Sequence, residues 1–139
     1  MLSGFLAIAF LVGPLRRRGI EPETILKVGM GAGVLVTLAI VTDRGATHAL
    51  WFALGLVFSV GNLAYALLQG DFKAALAGRV NTALNLMVFL GAFVIQWGFG
   101  AMVDVLQAAG HAPRAAYQVT FGGLLVLQVT SWLWFLRKS

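Results

Sequence analysis

The charged residues of this chain stand in a few clusters, and long apolar stretches run between them, at 25–42, 49–68, 80–103 and 115–136. A bilayer core about 30 Å thick takes roughly 20 apolar residues of helix, and these stretches reach that length. Ten basic and five acidic residues in 139 are too few to cover a soluble surface, since a soluble domain carries about a quarter of its residues charged. The pattern therefore predicts an all-α fold, a polytopic transmembrane helix bundle whose main partner is the lipid bilayer. A β-barrel is the other structure that crosses a membrane. Its strands would be about ten residues of strict alternation, whereas these stretches are longer and apolar all round.

A fifth apolar run, Leu2 to Val12, is too short to span. At 1.5 Å per residue it covers roughly 16 Å, half a bilayer. Gly13-Pro14 are expected to close it, and Arg16, Arg17 and Arg18 follow. The basic residues come after the apolar run, the wrong order for a secretory signal. The short first run leads to the expectation that the chain is a piece of a larger membrane protein. Glu21-Pro22-Glu23-Thr24 reads as a helix start, with acidic residues at the positive end of the dipole. Asp43-Arg44-Gly45, Gly70-Asp71 and Asp104 are expected to end the next three spans, and Arg137-Lys138 the last. No linker or second domain interrupts residues 1–139, a single transmembrane region.

If successive spans alternate direction, Arg16, Arg17, Arg18, Lys27, Lys73, Arg79, Arg137 and Lys138 fall on one side, and only Arg44 and Arg114 on the other. The positive-inside rule puts the first group in the cytoplasm, and the C-terminus with it. The net charge of +5 thus reads as orientation rather than as a nucleic-acid surface.

The fourth stretch carries the most polar groups. At 100° per residue, Asn81 and Asn85 lie about 40° apart and Gln96 about 20° beyond. Amides in hydrocarbon are costly unless paired, so this stripe is expected to line a cavity or to hydrogen-bond to neighbouring helices. Asn62, Tyr65 and Gln69 share a face of the third stretch, with Asn62 near its middle as a candidate cavity residue. On the second, Gly29, Gly33 and Thr37 recur every four residues, the small-residue pattern that lets two helices approach closely. Gln118, Gly122 and Gln128 occupy one sector of the last stretch, and Trp132 and Trp134 near its end read as interfacial anchors. No charged residue lies deep in a full span, so no ion-coupling residue is evident.

Enzyme chemistry has no foothold. There is no cysteine, no Ser-His-Asp set and no carboxylate pair, and no cofactor is indicated. His48 and His111 lack ligand partners at metal spacing. Gly29-x-Gly31-x-Gly33 lies inside an apolar helix with no preceding strand, which rules out a nucleotide fingerprint.

The segment from Phe72 through Ala77-Gly78-Arg79-Val80-Asn81-Thr82-Ala83-Leu84-Asn85 to Phe93, Gln96-Trp97-Gly98 and Gly100 resembles the region of helices ten and eleven of bacterial major facilitator superfamily transporters. There a short cytoplasmic loop ends in Gly-Arg and leads into a Gly-rich helix. Gly13-Pro14-Leu15-Arg16-Arg17-Arg18-Gly19 is similar to the basic loop between helices eight and nine, although Leu15 stands near the place of that loop's usual acidic residue. The resemblance implies the end of helix eight and all of helices nine to twelve, part of the C-terminal half of that fold. It implies a secondary transporter of the bacterial inner membrane, working by alternating access on a small-molecule substrate. The N-terminal helices of the same transporter would be its partner, and the segment alone would not be competent. Arg16, Arg17, Arg18, Asp71 and Arg79 become candidates for a cytoplasmic loop or gate. The rival expectation is a small integral membrane subunit or assembly partner.

Overall fold

The computed structural model describes residues 2–42, 47–70 and 72–138, and among them every regular element is helical. The order is α1 (Leu2–Arg17), α2 (Pro22–Val41), α3 (Thr47–Phe58), α4 (Asn62–Gly70), α5 (Ala77–Ala108) and α6 (Pro113–Lys138), with 3-10 turns at Ser59–Gly61 and Ala74–Leu76. Among the described residues four segments are long and apolar enough to cross a membrane: α2, α3 continued into α4, α5 and α6. The fold is an all-α polytopic bundle.

Local chemistry sets the ends. Pro22 opens α2, where its missing N–H costs nothing, and Glu23 in the first turn pairs with Lys27 at 3.0 Å. The Thr42 hydroxyl donates to Leu38 O at 2.9 Å as α2 closes. Both α1 and α5 end on a left-handed glycine, Gly19 at φ 80° and Gly110 at φ 90°. Beyond each, an N–H reaches back five residues, Ile20 to Leu15 O at 3.0 Å and His111 to Leu106 O at 3.1 Å, the hydrogen bond of a Schellman stop.

Three boundaries differ from the sequence expectation. α1 does not stop at Gly13-Pro14: it runs on to Arg17 with Pro14 inside it. Apolar helices tolerate an internal proline, and the residue that stops this one is Gly19. α5 passes through Asp104 to Ala108, because one aspartate does not break a helix, whereas Gly110 does. The third span is not one α-helix, since Ser59–Gly61 tighten into a 3-10 turn. There Ser59 Oγ donates to Gly55 O at 3.0 Å and Asn62 Nδ2 donates to Ser59 O at 3.0 Å. Such side-chain bonds compete with the helical ladder and bend it.

The spans pack in a closed circuit. α2 lies against α3–α4 and against α6, while α5 touches α4 at one end and α6 at the other. α1 sits outside, against α3 and the 3-10 turn, with Gly4 in contact with Ser59. Gly29, Gly33 and Thr37 are buried together on α2. A Cβ on Gly29 would stand 2.7 Å from Val60 Cγ1, so only glycine admits the third span this closely. Gly31, about 200° round the helix from Gly29, gives the same room to α6: a Cβ there would lie 2.8 Å from the Trp132 ring. The Trp132 Nε1–H donates to Lys27 O at 2.9 Å and fixes the register of α6 on α2.

Neighbouring spans alternate direction. Glu23 at the start of α2, Leu68 at the end of α4 and Lys138 at the end of α6 line one cavity. At the opposite end an aromatic cluster joins three spans, with Trp51–Phe121 ring centroids at 5.5 Å, Phe99–Phe121 at 4.9 Å and Phe99–Tyr117 at 6.0 Å. Lys27, Arg137 and Lys138 therefore share an end, the basic end.

Candidate functional site

The amides marked out on α5 lie along its open side. Asn81, Asn85 and Gln96 are all exposed, beside the surface that meets α4 and α6. The Tyr65 hydroxyl donates to Asn85 Oδ1 at 3.2 Å, which ties the middle of α4 to the third turn of α5. Two residues from different sequence stripes thus meet in one interhelical bond. Gln96, three turns further into the span, stands exposed among Phe89, Phe93 and Trp97, themselves 73%, 66% and 69% exposed. Asn62 is exposed too, but its Nδ2 is held by Ser59 O at the break in the third span. That bond gives Asn62 a local structural role.

The gate candidates scatter over the basic end. Arg16 and Arg17 close α1, Arg18 follows in the turn, and Arg79 lies in the first turn of α5, all four exposed. Asp71, their expected acidic partner, lies outside the described residues, as do Asp43 and Arg44 and the side chain of Gln69.

A cavity of about 470 Å³ opens between α2, α3, α5 and α6, with Gly33, Phe58, Ile95, Leu124 and Gln128 among its lining. Gln128 Oε1 is buried there with no hydrogen-bond partner among the described residues. Thr37, 2% exposed, likewise keeps an unpartnered hydroxyl at the α2 seam. A buried acceptor without a partner costs about 1–3 kcal/mol, so a hydroxyl or N–H entering the cavity gains a bond at Gln128 that is otherwise missing. Sequence reasoning placed Gln128 on a polar sector but did not single it out. A lone amide deep in an apolar span was the signal available.

Among the described residues no three His, Asp or Glu side chains come together as metal ligands. His111 serves the end of α5, its Nδ1 3.1 Å from Leu106 O. In comparisons with known proteins, no family model, no curated protein and no solved structure matches this chain.

Proposed function

We propose that this chain is the C-terminal portion of a secondary active transporter of the major facilitator type. It would work by alternating access on a small-molecule substrate, together with N-terminal helices of the same transporter. In this reading it lies in the bacterial inner membrane with its basic end and C-terminus in the cytoplasm, as the positive-inside rule requires of the Arg16–Arg18, Lys27 and Lys138 side.

The observation that carries the proposal is the position of the amides. α5 is the helix richest in them, and it presents Asn81, Asn85 and Gln96 at the open edge of the bundle. Facing lipid, Gln96 would leave its amide unpaired in hydrocarbon, which costs several kcal/mol. Facing a second bundle across a hydrated cavity, the same group is solvated and free to meet a substrate. Polar groups of discontinuous or flanking helices at a central interface are how secondary transporters build such sites.

A photo-crosslinking residue in place of Gln96, activated in native membranes, tests the proposal. Adducts with other helices of the same polypeptide are the expected result. Adducts with a separate small protein would replace the proposal with an assembly-subunit role. Adducts with lipid alone would show that the amide edge faces the bilayer, and the proposal would fall.

A further inference from the structure

Between α2, α4 and α6 runs a groove that neither the circuit of spans nor the amide edge of α5 accounts for. At the basic end it is a cavity of about 510 Å³ bounded by Glu23, Leu67, Leu68 and Lys138. A second, of about 680 Å³, continues it inward and shares Leu26, Ala64, Trp134 and Phe135 with the first. The second in turn shares Met30 and Ser131 with the cavity below Gln128. The three cavities adjoin one another along these shared walls. Small residues open it: Ala64 and Gly61 on the third span leave a gap opposite α6 that no side chain fills.

Its chemistry changes along its length. The mouth is charged. Lys138 Nζ sits 4.6 Å over the Trp134 ring, which holds the ammonium at the entrance. Among the described residues that line it, Lys138 is the one base and Glu23 the one acid, and Glu23 is paired with Lys27 at 3.0 Å, so these three groups leave the mouth with a net positive charge. Below the mouth the lining is apolar apart from Thr130 and Ser131, and the Thr130 hydroxyl is already spent on Leu127 O at 3.0 Å. From Lys138 to Gln128 is ten residues of helix, roughly 15 Å. That is the depth of one leaflet of a bilayer core about 30 Å thick.

We propose that this groove is a binding site for one anionic phospholipid of the leaflet at the basic end. One acyl chain lies along Leu26, Met30, Ala64 and Phe135, and the phosphate meets Lys138. The site is independent of the transporter reading, since it needs only α2, α4 and α6 in place. A basic residue beside an anionic headgroup favours it about fivefold, so the groove selects anionic over zwitterionic lipid rather than merely collecting lipid.

Native mass spectrometry of the full chain, from micelles loaded with equal amounts of phosphatidylglycerol and phosphatidylcholine of the same acyl chains, tests this. The wild type is expected to retain one lipid, with phosphatidylglycerol preferred about fivefold or more. Lys138→Gln should still retain a lipid but bring the preference close to one. Ala64→Phe, which fills the groove and leaves every charge, should lose both lipids while keeping its helical circular dichroism. Lys73→Gln, at the same end but outside the groove, should change nothing. Equal retention of the two lipids by the wild type would overturn the proposal. So would a fall in preference in Lys73→Gln as large as in Lys138→Gln, because the selectivity would then belong to the whole basic surface. Undiminished lipid retention in a helical Ala64→Phe would overturn it as well. Should that variant not fold, the two lysine variants decide.

Discussion

Trp132→Ala is expected to destabilise the bundle by about 3 kcal/mol. In a soluble core the same change costs about 3–5 kcal/mol, part transfer and part cavity. Lipid supplies no transfer term between helices, so the expected value sits at the low end and consists mostly of lost packing. The indole fills the space that Gly31 leaves on α2 and bonds to Lys27 O across 105 positions of sequence. Trp132→Phe keeps most of the ring and loses the bond, and about 0.6 kcal/mol is the average for such a bond in a membrane bundle. Reversible unfolding in bicelles measures both. A loss under 1 kcal/mol for Trp132→Ala would mean that α6 is held to α2 by something other than this contact.

Gly29→Leu should be at least as damaging. The first atom of any side chain there already falls 2.7 Å from Val60 Cγ1 and 3.0 Å from Val60 Cβ. Val60 is β-branched, and its Cβ, fixed to the backbone, is itself one of the close atoms, so no change of rotamer clears the conflict. α2 and the third span must part, and the contacts at Gly33 and Thr37 go with them. Overpacking alone costs about 1–3 kcal/mol, and the lost seam adds to it. Gly33→Ala is the control on the same face. Its Cβ would meet Val57 Cγ1 at 3.4 Å, an ordinary contact, and the unfolding free energy should barely move. If Gly29→Leu were as mild as Gly33→Ala, the close approach at Val60 would not be a feature of the folded chain.

The spans were legible because one physical rule dominates them: a helix in lipid must be apolar over its crossing, and charges gather at its ends. The Gly29, Gly33 and Thr37 seam was legible for a similar reason, since its pattern is local and periodic. The break at Ser59–Gly61 was not. It depends on Ser59 turning to Gly55 O and Asn62 to Ser59 O, and the same residues in an unbroken helix leave the same hydropathy. Gly31 looked like one more glycine until Trp132, a hundred residues away, proved to occupy its space. Pro14 looked like a stop and Asp104 like an end. In both cases the glycine with positive φ further on does the stopping. Of the polar residues, Asn85 had a partner in Tyr65 that no single-helix pattern could join to it. The value of Gln128 lies in the cavity around it, which four different spans create.

The side of the membrane on which the basic end lies is the point on which both the orientation and the transporter reading turn. The chain has no cysteine, so single cysteines report cleanly. Ala112→Cys lies in the exposed turn between α5 and α6, and Lys73→Cys in the exposed connection between α4 and α5. Treated as intact cells with a membrane-impermeant maleimide, Ala112→Cys should label and Lys73→Cys should label only after permeabilisation. Labelling of Lys73→Cys in intact cells with Ala112→Cys protected would invert the bundle, and equal labelling of both would contradict a membrane-crossing α5.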